Sequence, residues 1–471
     1  MFPSPDLDKA LLDLRKRGLL QYAGESQRYD LHPIVRHYAY DRLPTLKKQV
    51  IHENLREYFD ALNLTRPNLD FIVSAPVDLY LKLLEKSPKE PSSLDDLGPT
   101  IELYYHTVRA GLFTSAIEIL KDELLPEPLY FRFGAYHLCI ELLSMLFSKN
   151  DDEFLSMEYD QYDQSWALNF LGNSYSLSGH PHDAIQFLEK AASILQKLDK
   201  TIDQSAALAS VGHDQARIGS LHFADINLQQ SLSLNNKRSS LVEAVIHQEL
   251  GFLFTIQGMW KKTNNEFESA IRVTHDNQNK GITYAYQALQ SLLLARSNPS
   301  SLNHVTSAIK FAKHALDLVE ETARDRHAFI LDYVRAHWLL GAAYCANNEL
   351  TLAEENLSKA LNLCRQINVV DYEADILLDL ARLRYAQGDF KDAQEKASEA
   401  LVITERSGYV LQGADVNLFL AELALTLPSP EGRGKAREYA ETALKLATCD
   451  GPPYYYKVAY EEAERMLEKL K

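Results

Sequence analysis

From Trp166 onward the sequence copies itself. A Leu followed by a small residue, a turn about seven residues later, and an Ala-x-x-x-apolar-x-x-Ala run return with constant offsets. The first copy is Leu168, Leu171-Gly172, Tyr175, Gly179, Ala184, Leu188, Ala191. The second reads Leu208, Val211-Gly212, Gly219, Ala224, Leu228, Ser231, and the third Leu250-Gly251, Phe254, Gly258, Phe267, Ala270. A fourth, centred on Ala288 and then on Ala308, Ala312 and Ala315, has its turn lengthened by Ser297-Asn298-Pro299-Ser300-Ser301. The fifth (Leu340-Gly341, Tyr344, Ala353, Leu357, Ala360) and sixth (Leu380-Ala381, Gly388, Ala393, Ala397, Ala400) are regular. The seventh (Leu420-Ala421, Ala436, Ala440, Ala443) has an enlarged loop at Leu427 to Gly432. Helices of an ordinary bundle also place Ala and Leu at i, i+3 and i+4. Seven successive copies with one set of offsets require a repeated unit, which buries its apolar face only by stacking on its neighbours.

These copies resemble the tetratricopeptide consensus, in which a small residue lets two antiparallel helices approach closely. Anchors 172, 212, 251, 288, 341, 381 and 421 lie mostly 37 to 40 residues apart, longer than the standard repeat of about 34. The expected fold is therefore all-α: a right-handed tetratricopeptide-like α-solenoid of long hairpins over 165–450, with a capping helix in 451–471. In such a stack the first helix of each hairpin lines a concave face. Counting from the anchors, that face carries Asn169 and Asn173, His213 and Arg217, Gln248 and Phe252, Arg335 and Trp338, and Arg382 and Tyr385. Amide, aromatic and guanidinium groups suit a protein or peptide partner, the amides pairing its backbone and the larger groups anchoring it. Phe252 and Trp338 equally fit packing between hairpins. The groove that clamps chaperone C-termini resembles Lys and Asn, then Asn, then Lys with Arg. Here Asn169 and Asn173, Ser210, and Val245 and Glu249 fill those places, and only Asn173 matches.

Upstream, Leu7, Ala10, Leu11 and Leu14 have helical spacing up to Gly18. Leu19 to Tyr22 and Arg28 to Leu31 then flank a Gly24-Glu25-Ser26 turn, as in a β-hairpin, and Pro33 opens a further helix. Helix, hairpin, helix over 1–43 reads as a winged-helix remnant. Leu11-x-x-Leu14-x-x-x-Gly18-Leu19-Leu20 and Arg28 to Arg36 resemble the winged-helix segment of signal-transduction ATPases of the NB-ARC (STAND) class. That resemblance implies a sensor module of a prokaryotic regulatory ATPase, with His32 at the position that contacts nucleotide phosphate. Pro33 stands where the family has an acidic residue, and no Gly-x-x-x-x-Gly-Lys-Ser/Thr loop is present. Without an ATPase module, His32 reads as a histidine capping the next helix. The chain is accordingly expected to be non-catalytic and cofactor-free, the C-terminal part of a longer polypeptide whose ATPase module is a further partner. Residues 44–164 show helical spacing and degenerate hairpins, including a pair turning at Gly111 and a long helix from Phe133 to Phe147.

Charge narrows the function classes. The net charge is −16, but residues 1–50 hold nine Lys/Arg against six Asp/Glu. Clustered cations are what bind phosphate backbones, so the balance argues against nucleic acid as a partner. A transcription regulator reading DNA through the basic N-terminal piece is the alternative. The sequence has no 18-residue apolar run and no basic-then-apolar N-terminus, which points to the cytoplasm and away from a membrane. Cys139, Cys345, Cys364 and Cys449 are too scattered for a metal or disulfide framework. Gly179-His180-Pro181-His182-Asp183 falls on a turn and reads as solvated loop rather than as a metal site.

Overall fold

The structure, a computed structural model, describes residues 20–23, 28–31, 43–63, 91–147, 160–298, 302–325, 329–426 and 430–471. It divides into two compact units, residues 1–120 and 121–471.

In the first unit, β1 (Leu20–Ala23) and β2 (Arg28–Leu31) pair antiparallel, Leu20 opposite Leu31 and Tyr22 opposite Tyr29. The assignment of 1–43 to a winged helix gains no support from this ladder. The helices it needs, and His32, fall outside the described residues. Among the described residues three α-helices follow: α1 (Thr45–Asn63), α2 (Gly98–Arg109) and α3 (Phe113–Ile119), the last two turning through Gly111 in a left-handed conformation. α1 meets α2 through the buried His52 and His106, whose Nδ1 atoms are 2.8 Å apart, with Phe59 stacked on the His106 ring. Burial and the neighbouring imidazole push His52 down to about 4, so the pair is neutral near pH 7.

The second unit is the repeat array. It opens with α4 (Tyr136–Ser144), nine residues rather than the long helix expected to Phe147. The chain there arrives through wide helical turns at Glu127–Arg132. Seven hairpins follow: α5 (Gln161–Leu177) with α6 (Pro181–Lys197), α7 (Thr201–Arg217) with α8 (Leu221–Asn235), and α9 (Ser240–Ile256) with α10 (Trp260–Val273). Next come α11 (Asn277–Ser297) with α12 (Leu302–Asp325), α13 (Ile330–Ala346) with α14 (Leu350–Gln366), α15 (Val370–Ala386) with α16 (Phe390–Ser407), and α17 (Val410–Ala424) with α18 (Pro430–Ala447). A last helix, α19 (Lys457–Lys469), closes the end. The fourth hairpin, disturbed in sequence, owns the longest helices, of 21 and 24 residues.

The repeated residues are where the helices touch. A Cβ on Gly212 would stand 2.6 Å from Leu228, so only a bare backbone lets α7 and α8 close to this distance. Leu188, Leu228, Leu357 and the alanines at the crossing points are fully buried. Each buried leucine contributes roughly 1.5–3 kcal/mol of transfer free energy.

A second set of contacts winds the array back on itself. The turn of the first hairpin, at Gly179, packs on Val370 at the start of the sixth. Gly219 of the second hairpin packs on Val410 of the seventh, and Gly258 of the third on Lys457 of α19. One superhelical turn therefore takes five hairpins, and the second turn lies on the first. The backbone N–H of His222 donates to Asp450 at 2.8 Å and Tyr454 Oη to Asp225 at 3.1 Å, pinning the ends of the overlap. The Gly179 to Asp183 turn, expected to be solvated, is in part this interface: Gly179 is buried, although His180 is exposed.

Candidate ligand cavity in the superhelix

The first helices of hairpins two to seven converge on the superhelix axis. Because the turns lie against one another, the space between them is a partly enclosed hollow of about 580 Å³. Its apolar wall comes from Phe252 and Ile256 of α9, Leu289 and Leu293 of α11, Trp338 of α13 and Leu411 of α17. Its polar wall comes from four arginines, Arg217, Arg296, Arg335 and Arg382, and from Asp375, Asp379, Asp415 and Glu462.

Helical period explains the assembly. Asp371, Asp375 and Asp379 are spaced i, i+4, i+8 on α15, with Arg382 three residues further, so one face of one helix presents all four. Three arginines are matched closely. Arg335 donates to Asp332 at 2.9 Å and to Tyr372 Oη at 3.1 Å, and Arg382 donates to Asp379 at 2.8 Å. Arg296 reaches Asp415 at 2.6 Å and Glu462 at 2.7 Å, joining α11 to α17 and α19. Trp338 Nε1 also donates to Asp379, at 2.7 Å. Arg217 differs. It is held between the rings of Phe252 and Tyr372, 5.2 and 5.4 Å from their centroids, and faces Asp371 at 3.3 Å and Asp375 at 3.7 Å.

The loose end of this network is Asp375. Its closest hydrogen bond is from Gln412 Nε2, at 3.3 Å. Burial, reinforced by Asp371, Asp379 and Asp415 against the attraction of Arg217, pushes its carboxyl up to about 8. Beside it, burial opposes a charge on His213, but Glu249 at 3.0 Å overrides that and raises the imidazole above its ordinary value. Glu249 in turn accepts from Tyr286 Oη at 3.1 Å.

Residues 332–406, the fifth and sixth hairpins, match the tetratricopeptide repeat family model. These two hairpins are of tetratricopeptide type, and the other five are helical hairpins that share their offsets. Among solved structures, a Rap protein complexed with competence and sporulation factor aligns over 90% of this chain and 98% of its own, at 16% identity and a TM-score of 0.45. The Rap conjugation gene regulator of plasmid pLS20, in complex with the Phr* peptide, aligns over 76% and 96%, at 13% identity and a TM-score of 0.46. A signal transduction ATPase with numerous domains and a tetratricopeptide repeat sensor, from Pyrococcus horikoshii, aligns over 95% of this chain and 60% of its own, at 15% identity and a TM-score of 0.38. No curated protein sequence is a significant match.

Of the ten residues that counting from the tetratricopeptide anchors puts on the concave face, Arg217, Phe252, Arg335, Trp338 and Arg382 line the hollow. His213 sits behind it, bonded to Glu249. The others do not meet there. Asn173 Nδ2 bonds the Asn169 carbonyl of its own helix at 2.8 Å. Gln248, 2% exposed, ties hairpins three and four through the Asn279 carbonyl and Thr283. Tyr385 lies edge-on between Phe390 and Phe419. Reading from the anchors missed Tyr286, Arg296, Tyr372, Asp375, Gln412 and Tyr456. The four-residue spacing of acids on α15 was a visible signal for Asp375. Nothing local marks Arg296, which sits in the irregular fourth hairpin, or Tyr456, which precedes the cap. Among the described residues, no helix is long and apolar enough to cross a membrane.

Proposed function

We infer that the array is a recognition scaffold that admits a short segment of a protein or peptide partner into the hollow between its turns and does no chemistry of its own. The observation that carries this reading is the hollow itself. It is of the size that takes a ligand or a few side chains, not a folded domain. Aromatic rings and buried charges line it, nearly all of them on helices, which hold a site more rigidly than loops do. A neutral fluorescent pool of random octapeptides should bind the chain, and Ala342→Phe, which fills part of the wall, should abolish binding while the melting temperature falls by only a few degrees. Undiminished binding to the filled variant would remove the hollow from the reading.

The N-terminal resemblance extends this proposal. In it, the array is the sensor of a STAND-type regulatory ATPase in the cytoplasm, and the nucleotide module belongs to the same longer polypeptide. The sequence similarity of Leu11 to Leu20 and Arg28 to Arg36 supports it. The purified chain should release no phosphate from ATP above background, and turnover lost in His32→Ala would contradict the division of labour. An open reading frame continuing upstream of Met1 into a phosphate-binding loop would support the link, and an in-frame stop would dismiss it.

A further inference from the structure

On the wall itself four arginines match four carboxylates, and the surplus of acid comes from Asp332 and Asp371 just behind it. Around the hollow, four guanidinium groups face Asp332, Asp371, Asp375, Asp379, Asp415 and Glu462. Arg296, Arg335 and Arg382 are each committed to a carboxylate within 2.9 Å. The surplus acid gathers at Arg217, whose contacts to Asp371 and Asp375 are the long ones. Two further observations fall at the same spot. Arg217 and Gln412 both line the hollow and are 5% and 3% exposed, yet Arg217 Nε and Gln412 Oε1 have no hydrogen-bond partner among the described residues. A buried polar atom left unpaired costs on the order of 1–3 kcal/mol, and of these two it is the acceptor, Gln412 Oε1, that a cationic donor would satisfy. An anion would add to the surplus of carboxylates. A cation would offset it, and the aliphatic side chains of Ile256, Leu289 and Leu293 would cover an apolar stem.

Resting on the reading that the hollow takes a peptide segment, we propose that the Asp375–Gln412 corner is a subsite for a cationic nitrogen on an aliphatic stem, as the side chain of a partner's Lys or Arg carries. Asp375 releases its proton to solvent as the cation enters and then supplies the negative charge, Gln412 is a neutral acceptor, and Arg217 lies between the rings of Phe252 and Tyr372 at longer range from the carboxylates. The same corner discriminates against an acidic side chain through Asp375, Asp379 and Asp415.

The test uses the full chain and four pools of acetylated, amidated hexapeptides, otherwise neutral and random, with Lys, Arg, norleucine or Glu fixed at one position. Fluorescence polarisation reads the affinities. The Lys or Arg pool should bind about tenfold or more tighter than norleucine, the value of one charge-assisted hydrogen bond in a buried site. Which of the two is tighter identifies the source of the cation. Asp375→Asn should erase the preference, so that the Lys and Arg pools bind that variant no tighter than the norleucine pool does. That variant replaces a carboxyl protonated near neutral pH with an amide of the same shape, so its melting temperature should hold at pH 6.5 and exceed that of the unaltered chain at pH 8.5. Gln412→Leu, expected to weaken the preference partially, gives a second reading independent of charge. Equal binding of the Lys, Arg and norleucine pools, or tightest binding of the Glu pool, overturns the subsite and leaves peptide recognition standing. Should no pool bind, the peptide reading fails, and hexylammonium and hexylguanidinium decide the corner alone. A rise in melting temperature with either ion that Asp375→Asn abolishes keeps the subsite, and no rise overturns it too.

Discussion

Asp375 carries a cost that pH exposes. Its carboxyl is raised to about 8 by burial and by Asp371, Asp379 and Asp415, against the pull of Arg217, so between its unfolded value near 4 and that point the folded chain holds a proton the unfolded chain has lost. Stability from this group is present at low pH and is lost as pH rises toward 8. Asp214, pushed up to about 7 by burial despite a 2.5 Å hydrogen bond from Ser176, acts in the same direction. So does His213, whose raised value means stability is lost as pH rises through it. His52, His106 and His337 are lowered and act oppositely, but only below their unfolded value near 6.5. The melting temperature should therefore fall from pH 6.5 to pH 8.5, and Asp375→Asn should flatten the fall. A flat wild-type profile, or one that rises, would contradict this balance of groups. The spacing of the three α15 acids was legible in the sequence. Their shared burial was not, because a solvated acidic helix face has the same pattern.

At the scale of elements, the hairpins follow from local rules. Small residues at the crossing and Ala-rich second helices fix each pair within about forty residues, and each of the five turns that are fully described closes tightly on a residue in the left-handed region, as at Gly388. The cap is different. α19 is fastened to the array by Arg296 at the end of α11, which pairs with Asp415 of α17 and Glu462 of α19 while Tyr456 Oη donates to Asp415 at 2.9 Å. Removing the guanidinium leaves two largely buried carboxylates without a counter-ion. Arg296→Ala should cost roughly 3 kcal/mol in urea unfolding, and adding Glu462→Gln should recover part of it. A loss under about 0.5 kcal/mol would place these groups in solvent. The amphipathic spacing of α19 is local, yet its fastening depends on a residue 166 positions away.

For the repeat unit as a whole, the overlap of its two superhelical turns decides whether the concave face is a trough or a hollow. Gly219 has φ +80°, and a Cβ there would lie 2.7 Å from Val410 Cγ1. Gly219→Leu combines backbone strain with a wedge between turns, and should cost about 1–3 kcal/mol and loosen the overlap. Small-angle scattering should show a larger radius of gyration, with helicity by circular dichroism unchanged. An unchanged radius would mean that the seam tolerates bulk and does not hold the turns together.

The sequence by itself determined the hairpins, their number and the seven anchor positions, because helical period and close-approach residues are local and recur. It also marked five of the residues that line the hollow, since a fixed offset from an anchor points to one side of a helix. Only the tertiary structure decided that hairpin one meets hairpin six, that Asp450 pairs with a backbone group 228 residues earlier, and that Arg296 and Tyr456 join the wall. Superhelical closure accumulates from small rotations between neighbouring repeats, each set by packing spread over many side chains. No single residue encodes that sum, and the hollow exists only once it has closed.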